Sequence, residues 1–252
     1  MKIILHGFGA MGKMVLEESK NRSDFEVVGI IDSHYSNPAS DIPIFSSFDT
    51  LPTTDLVIDF SHPSRLPDLL AFAKGSHVKL VLATTGYSES DLLKIHQAAK
   101  EIAIFQSYNM SLGIRMLLDA LQIMVPQAKG LYDIEIEERH HRKKIDAPSG
   151  TAWLLFRSIA KLIPGVEAIL DRSQIKEARK ENEIGITALR GGTIFGEHTI
   201  LFAGQDELIE IKHTALSKRI FATGALSAAQ FLQNKETGFY NLENLNENNK
   251  GE

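Results

Sequence analysis

The sequence predicts an α/β protein with a Rossmann-like, doubly wound N-terminal domain and a second, α+β domain that contains a mixed sheet. In the first 110 residues, short apolar runs alternate with helical patterns, which is typical of a parallel sheet with helices on both faces. A glycine-rich turn follows the first apolar run. After residue 110, several strand patterns follow one another without a helix between them, which favours antiparallel or mixed pairing.

The elements of the first domain are predicted from residue type and spacing. Its strand candidates are short and rich in branched residues, at 3–5, 27–31, 56–60, 78–83 and 102–105. Its helix candidates lie at 13–19, 65–74 and 88–101, and Ser88 is a candidate cap of the last one.

In the second domain, residues 133–137 alternate strictly between charged and apolar side chains, as a strand with one solvated face does. The other elements predicted after residue 110 are helices at 112–127, near 149–151 and at 220–233, strands at 186–190, 198–203 and 208–213, and a polar tail at 241–252 whose end we expect to be mobile. We therefore predict a first domain of residues 1–110, completed by 220–252, and a second domain of residues 111–219.

Composition excludes several classes of function. The 252 residues are 43% hydrophobic and 23% charged, which is ordinary for a globular protein. The absence of cysteine excludes disulfides, a thiolate nucleophile and cysteine-bound zinc or iron–sulfur, and we predict no metal site. A net charge of −5 argues against a nucleic-acid or membrane binder. Because no segment reads as a signal peptide or a membrane span, we expect a cytoplasmic protein.

The glycine-rich turn has the spacing G-x-G-x-x-G, which is typical of dinucleotide-binding domains. It follows a strand, begins a helix, and is followed 20 residues later by an acid, Asp32, at the end of the second strand. The helix start would hold phosphates through unpaired N–H groups, and Asp32 would accept bonds from a ribose. The alternative is an ordinary glycine turn beside a surface aspartate. The residues of the turn are Gly7, Phe8, Gly9, Ala10, Met11 and Gly12.

Two later loops also follow apolar strands, at the sheet edge where open α/β sheets bind ligands. They comprise Ala83, Thr84 and Thr85, followed by Gly86, and Ser107, Tyr108, Asn109 and Met110. Since these residue types also form ordinary turns, a structural role is an equal alternative.

The densest polar segment, 138–144, follows the alternating strand and runs into a predicted helix start. It combines two imidazoles, His140 and His141, with Lys144, and the helix start offers N–H groups at Gly150 and Thr151. Together these groups predict a pocket for an acid with several carboxylates that is protonated as it reacts. The alternative interpretation is a solvated basic surface patch, such as one that binds nucleic acid.

The segment His140-His-Arg-Lys-Lys-Ile-Asp-Ala-Pro-Ser-Gly-Thr151 closely resembles the signature of the 4-hydroxy-tetrahydrodipicolinate reductases, also called dihydrodipicolinate reductases, of lysine biosynthesis through diaminopimelate. The loops at 83–86 and 108–113, and blocks at 192–199 and 217–222, resemble further motifs of that family, so that the likeness covers most of the chain.

The resemblance implies an NAD(P)H-dependent oxidoreductase that converts 4-hydroxy-tetrahydrodipicolinate to tetrahydrodipicolinate with loss of water. It assigns His140 as proton donor and acceptor, Lys144 as proton donor, and His141, Gly150 and Thr151 as substrate contacts. Residues 7–12, Asp32, 83–85 and 107–110 match its cofactor contacts. The resemblance also implies a homotetramer built through the sheet of the second domain, and a hinge between the domains that closes on the substrate.

The chain departs from the family pattern at four positions, three of which concern the cofactor. The glycine turn lacks the usual arginine and is one residue tighter, Ala83 replaces a glycine, Met110 replaces a phenylalanine, and Ser33 follows Asp32 where arginine is common. Asp32 and Ser33 favour NADH slightly over NADPH. Lys13, His34 and Lys74 are candidates to offset the repulsion of a 2′-phosphate.

Two rival functions share the predicted architecture. One is a related amino-acid dehydrogenase, such as a diaminopentanoate dehydrogenase, although the intact dicarboxylate motif argues against it. The other is a sensor that binds NAD(P)H without turnover.

Overall fold

The computed structural model describes residues 1–33 and 42–245. His34 and the last seven residues of the predicted polar tail lie outside the described residues. The chain divides into two compact units, Met1–Ser111 with Lys218–Glu252, and Leu112–Ser217.

The strands and helices of the described residues are numbered in chain order. The strands are β1 (Lys2–His6), β2 (Glu26–Ile31), β3 (Ile44–Phe45), β4 (Leu56–Asp59), β5 (Lys79–Leu82), β6 (Ala103–Gln106), β7 (Asp133–His140), β8 (Glu167–Ile169), β9 (Glu183–Arg190), β10 (Gly196–Ala203), β11 (Leu208–Ala215) and β12 (Gly238–Tyr240). The α-helices are α1 (Ala10–Ser19), α2 (Leu66–Ser76), α3 (Glu89–Ala98), α4 (Leu112–Ala128), α5 (Gly150–Leu162) and α6 (Arg219–Leu232).

The first unit contains a parallel sheet with the strand order β12-β6-β5-β4-β1-β2-β3 in the described part of the chain. Alternate residues of β1 point to opposite faces of this sheet: Ile3 and Leu5 pack with residues of α1 and α6, whereas Ile4 packs with residues of α2 and α3. Apolar cores on both faces are the defining feature of a doubly wound sheet, so the predicted class of the first domain is confirmed.

The second unit contains a mixed sheet with the order β11-β10-β7-β9-β8. β7 pairs antiparallel with β10 and parallel with β9. Ile134, Ile136, Ile200 and Phe202 of this sheet are buried in one apolar core with residues of α4 and α5. The predicted α+β class with a mixed sheet is therefore confirmed.

The opposite face of the mixed sheet, called here the outer face, carries charged and half-exposed side chains. Among its salt bridges are those that join Arg139 to Glu137 and Glu197, and Lys212 to Glu197. Leu189, on the same face, is 45% exposed. In the described part of the chain, no helix combines the length and the apolar character that crossing a membrane requires.

Local sequence explains where the helices of interest begin. Ser88 caps α3 by accepting a hydrogen bond from the N–H of Asp91, whose side chain returns the interaction in a capping box. Ser149 caps α5 by accepting one from the N–H of Ala152.

Candidate active site

The glycine turn joins β1 to α1, and its three glycines meet different surroundings. A Cβ atom on Gly7 would lie 2.7 Å from the carbonyl oxygen of Phe60, and one on Gly12 would lie 2.1 Å from that of Gly7. Both positions therefore require glycine for the fold itself. Gly9, the N-cap of α1, has no atom within 4 Å of such a Cβ. The space in front of Gly9 and the start of α1 is open, which a phosphate approaching the backbone requires.

A cavity of about 440 Å³ lies at the carboxyl ends of β1, β2 and β4. The N–H of Phe8 donates a hydrogen bond of 2.7 Å to Asp32 Oδ2, which ties the acid at the end of β2 to the glycine turn. The cavity is lined by His6, Gly7, Gly9, Ile31, Asp32, Ser33, Phe60, Ser61, His62, Ser64 and Arg65.

A second cavity, of about 270 Å³, adjoins the first, because both are lined by Phe60 and Ser61. Its other lining residues are Met11, Ala83, Thr84, Thr85, Tyr108, Met110 and Phe221. The structure thus brings the glycine turn, Asp32, the loop at 83–85 and the loop at 107–110 to one edge of the parallel sheet.

Some predicted cofactor residues lie at this edge without lining either cavity. Phe8 is buried in the core, Gly12 is packed against Gly7, and Ala10 begins α1 with an exposed side chain. The Ser107 hydroxyl donates to the carbonyl of Asn109, whose side-chain oxygen accepts from the Ser111 N–H at 2.8 Å. Ser107 and Asn109 therefore shape the second loop.

Of the basic residues considered for the adenosine end, neither Lys13 nor Lys74 lines the first cavity. Lys74 pairs with Glu101 at 2.8 Å, and Lys13 Nζ lies 5.8 Å from the centre of the Phe8 ring. Arg65, which the sequence analysis did not consider, lines the cavity together with Asp32.

Asp59, at the carboxyl end of β4, is a buried carboxylate at this edge of the sheet and was not predicted. Its side chain is 1% exposed and accepts hydrogen bonds from Ser61 Oγ at 2.6 Å and Thr84 Oγ1 at 2.7 Å. Tyr87 OH donates to it at 3.1 Å, and His6 Nδ1 lies 2.8 Å away. Burial raises the pKa of Asp59, but the hydrogen bonds and the charge of His6 outweigh it, so that the pKa lies below its ordinary value.

In the second unit, the candidate chemical groups lie around the end of β7. Glu138 and His140 alternate along β7 with Glu137 and Arg139. The side chains of Glu138 and His140 therefore point to the buried face of the strand. Glu138 is 0% exposed and His140 is 9% exposed. His140 Nδ1 lies 2.5 Å from Glu138 Oε2.

Glu138 receives two more hydrogen-bonding groups from distant parts of the chain. Arg190, at the end of β9, donates from Nη1 to Oε2 at 2.8 Å and from Nη2 to Oε1 at 2.7 Å. The N–H of Ser149 donates to Oε1 at 2.9 Å. Burial raises the pKa of Glu138, but the hydrogen bonds from His140, Arg190 and Ser149 outweigh burial and lower it to about 2. Glu138 is therefore a carboxylate.

Ser149 links this cluster to β10. Its hydroxyl lies 3.0 Å from His198 Nε2, and the ring of His198 lies edge to face against that of His140, with centroids 5.2 Å apart. Burial, with the nearby positive charge of His140, lowers the pKa of His198 to about 3. His198 is therefore a neutral neighbour of His140 near neutral pH.

The other predicted residues of the second unit lie in the turn after β7 and at the start of α5. Lys144 Nζ pairs with Asp146 Oδ1 at 2.8 Å, and the Lys144 N–H donates to the carbonyl of His141 in a tight turn. Gly150 is exposed as the first residue of α5, and Thr151, next to it, is half-buried. The helix start presents N–H groups, which favour a carboxylate ligand.

Glu138, Arg190 and His198 were not predicted as members of this cluster. Glu138 was detectable, because an alternating strand that places His140 inward also places Glu138 inward. Arg190 and His198 gave no local signal, since they lie 52 and 49 residues from their respective partners Glu138 and Ser149. Among the described residues, no group of three acidic or histidine side chains is arranged to hold a metal ion.

Comparison with known proteins adds independent evidence. Residues 1–110 match the family model of the N-terminus of dihydrodipicolinate reductase, and residues 113–245 match that of its C-terminus. A 4-hydroxy-tetrahydrodipicolinate reductase of Exiguobacterium sibiricum is 50% identical over 246 residues, covering 97% of this chain and 96% of the relative. That of Caldanaerobacter subterraneus is 43% identical over 248 residues, covering 97% and 98%.

Solved structures show the same fold at low sequence identity. The dipicolinate-bound dihydrodipicolinate reductase of Paenisporosarcina sp. TG-14 is similar with a TM-score of 0.80 at 23% identity, covering 97% of this chain and 98% of that one. The aspartate dehydrogenase of Thermotoga maritima is similar with a TM-score of 0.53 at 16% identity, covering 93% and 97%.

Proposed function

This chain belongs to the dihydrodipicolinate reductase family, and we propose that it reduces 4-hydroxy-tetrahydrodipicolinate to tetrahydrodipicolinate with NAD(P)H and loss of water, in lysine biosynthesis through diaminopimelate. One observation carries the proposal. The complete signature that runs from His140 to Thr151 places an imidazole, an ammonium group and a helix start in one unit of the structure.

We propose that the first unit, predicted as residues 1–110 completed by 220–252, binds the dinucleotide. The open space in front of Gly9 and the two adjoining cavities fit such a group, whose pyrophosphate would meet the start of α1. Asp32 would accept hydrogen bonds from the adenosine ribose, and the loop of Ala83–Thr85 with Tyr108 and Met110 would surround the nicotinamide. When bound, NAD(P)H supplies the hydride that the reaction consumes.

We propose that the second unit, predicted as residues 111–219, binds the dicarboxylate. The N–H groups at Gly150 and Thr151 would hold one carboxylate, and the Thr151 hydroxyl would fix its orientation. Lys144 and His141 add positive charge or hydrogen-bond donors near the same turn. Holding the two carboxylates orients the ring and offsets their repulsion.

His140 and Lys144 would manage the protons of the reaction. Loss of the 4-hydroxyl group together with a proton from C5, as water, leaves a conjugated imine, and hydride addition at C4 converts this to an enamine. The enamine needs one proton at C5 to become the product. The His140 imidazole, which is 9% exposed, would deliver that proton, and Lys144, which pairs with Asp146, would supply a proton in its turn.

We propose that NADH is preferred slightly and that NADPH is also used. Asp32 would repel a 2′-phosphate, whereas Arg65, which lines the same cavity, would attract one. We further propose that the enzyme is a homotetramer assembled through the outer face of the mixed sheet, where half-exposed apolar side chains lie among the ion pairs.

A coupled assay tests the proposed reaction. Dihydrodipicolinate synthase, pyruvate and aspartate semialdehyde generate the substrate, and absorbance at the nicotinamide band follows oxidation of NADH or NADPH. Enzyme-dependent oxidation supports the proposal. Tight binding of NADH without oxidation would indicate the sensor, and oxidation of diaminopentanoate with NAD⁺ would indicate the related dehydrogenase.

A further inference from the structure

We infer that Glu138 is a positioning residue that holds the His140 imidazole in the tautomer with its proton on Nδ1, so that Nε2 is the atom that exchanges protons with the substrate. The inference rests on the proposed function for its catalytic consequence, although the tautomer itself is a property of the free protein. The observation behind it is the contact between Glu138 Oε2 and His140 Nδ1 at 2.5 Å.

The hydrogen-bond donors around Glu138 determine which partner carries the proton. Oε1 accepts from the Ser149 N–H and from Arg190 Nη2, and Oε2 accepts from Arg190 Nη1. Arginine and a backbone N–H are obligatory donors, so they favour the carboxylate over the carboxylic acid. Since a carboxylate only accepts hydrogen bonds, the His140 Nδ1 must be the donor.

The neighbouring strand β10 begins close to the opposite nitrogen of His140, Nε2. A Cβ atom on Gly196, the first residue of β10, would lie 3.0 Å from His140 Nε2. Any side chain at this position would therefore press on Nε2. Glycine leaves this nitrogen accessible, which a proton-exchanging atom requires and a purely structural imidazole does not.

The groups around His140 differ in charge and in pairing. Glu138 offers a full negative charge at Nδ1, while His198, the other ring in contact, is neutral. Arg190 is paired with Glu138, and Lys144 is paired with Asp146. When Nε2 takes up a proton, the Nδ1–H remains hydrogen-bonded to Glu138, the arrangement by which a carboxylate orients a catalytic histidine.

Glu138→Gln is the informative variant. It removes the negative charge and replaces one acceptor oxygen by a donor NH₂ group, while the shape of the side chain hardly changes. At the Oε1 position the new amide NH₂ would meet two fixed donors, the Ser149 N–H and Arg190 Nη2, whereas at the Oε2 position it would meet only Arg190 Nη1. The NH₂ therefore takes the Oε2 position and faces His140. The imidazole can answer by moving its proton to Nε2. We therefore expect a change of tautomer together with a fall in activity.

The experiment compares the ¹⁵N chemical shifts of the imidazole nitrogens in wild type and Glu138→Gln, with His140→Gln used to assign the signals. Wild-type His140 should carry its proton on Nδ1 in the neutral form, and Glu138→Gln should carry it mainly on Nε2. In the coupled assay, kcat of Glu138→Gln should fall at least about tenfold, while KM for the substrate changes less than about threefold.

Glu183→Gln is the matched control. Glu183 is also a nearly buried glutamate of the mixed sheet that pairs with an arginine, Arg172, but it lies at the other end of β9. Its substitution should leave the His140 tautomer and kcat unchanged. Equal losses of kcat in the two variants would mean that removing any buried ion pair is sufficient, and would overturn the inference.

The wild-type spectrum decides the question even if Glu138→Gln does not fold. Neutral His140 with its proton on Nε2 would overturn the inference, as would an unchanged kcat in a folded Glu138→Gln protein. Failure of the proposed function has a different signature: the wild type would not oxidise NADH or NADPH with the substrate, whatever its tautomer.

Discussion

The hydroxyl of Thr84 donates a hydrogen bond of 2.7 Å to the buried carboxylate of Asp59, and this bond anchors the loop after β5 to the end of β4. Ser61 and Tyr87 donate to the same carboxylate. Asp59 therefore organises two of the segments that surround the candidate cofactor cavities, although it lines neither.

Asp59→Asn should lower the free energy of unfolding at pH 7 by about 1–3 kcal/mol, because the amide cannot accept all of these hydrogen bonds. The folded-state pKa of Asp59 is lowered from 3.8. Its stabilisation is therefore complete above that pH and is lost as the pH falls through the lower, folded-state value.

Urea unfolding of wild type and Asp59→Asn between pH 7 and pH 2 measures both effects, with the exposed Asp49→Asn as control. The difference between wild type and Asp59→Asn should narrow below pH 3.8. A difference that does not depend on pH would show that the carboxylate charge contributes nothing. The Kd of the cofactor should also rise in Asp59→Asn, since Thr84 loses its anchor.

The two glycines Gly9 and Gly12 should respond differently to substitution by alanine. Gly12→Ala places a methyl group against a backbone oxygen and should destabilise the protein by about 1–3 kcal/mol. Gly9→Ala meets no protein atom, so it should cost no more than about 1 kcal/mol through the weaker cap. It should nevertheless raise the Kd of NADH about tenfold or more, because its methyl group would occupy the space proposed for the pyrophosphate.

Thermal unfolding and a fluorescence titration with NADH separate the two effects. Unchanged NADH affinity in Gly9→Ala would place the pyrophosphate elsewhere. Unchanged stability in Gly12→Ala would contradict the close packing of the turn.

His140→Ala should lower kcat by ~10²–10⁴-fold, the usual contribution of a general acid–base group, while the fold survives. Circular dichroism and the Kd of NADH check the fold, since the proposed cofactor residues belong to the other unit. Wild-type turnover in a well-folded His140→Ala protein would refute its role as proton donor and acceptor.

Thr151→Val and Lys144→Ala should differ in kind. The Thr151 hydroxyl is proposed to hold a carboxylate that is present throughout the reaction, so its loss should mainly raise KM. Lys144 is proposed to act as the proton is transferred, so its loss should mainly lower kcat. Steady-state kinetics of both variants measure this, and the same pattern in both would show that anchoring and proton donation are not divided between them.

Features of this site that depend on residues close together in the chain could be predicted from the sequence, whereas features that depend on residues far apart could not. The glycine turn and the start of the helix near 149–151 are set by residues within a few positions of one another. The sequence therefore predicts them, together with both fold classes. β3, β8 and β12 have only two or three residues each, and they were missed because pairing with a neighbour defines them rather than their own pattern.

The buried carboxylate of Asp59 and the pairing of Arg190 with Glu138 were missed for a related reason. Asp59 reads as the end of an apolar strand, and only the fold brings Thr84 to it. Arg190 reaches Glu138 because β7 and β9 pair in parallel, so that residues 138 and 190 lie near each other at the strand ends. A pairing register of this kind is not encoded in either strand alone.

The choice of cofactor tests the role of Asp32 directly. Asp32→Asn removes a charge but keeps an oxygen that can accept the Phe8 N–H, so the glycine turn should hold its shape. Two unit charges a few ångströms apart near a surface interact by about 4 kcal/mol before screening, and a net gain of 1.4 kcal/mol would correspond to about tenfold in kcat/KM. We expect the kcat/KM ratio of NADPH to NADH to rise about tenfold in Asp32→Asn. Arg65→Ala, at the same cavity, should lower that ratio instead, because it removes the cation that would attract the 2′-phosphate. An unchanged ratio in Asp32→Asn would mean that Asp32 does not face the ribose. If only Arg65→Ala left the ratio unchanged, Asp32 would determine the cofactor preference and Arg65 would not oppose it.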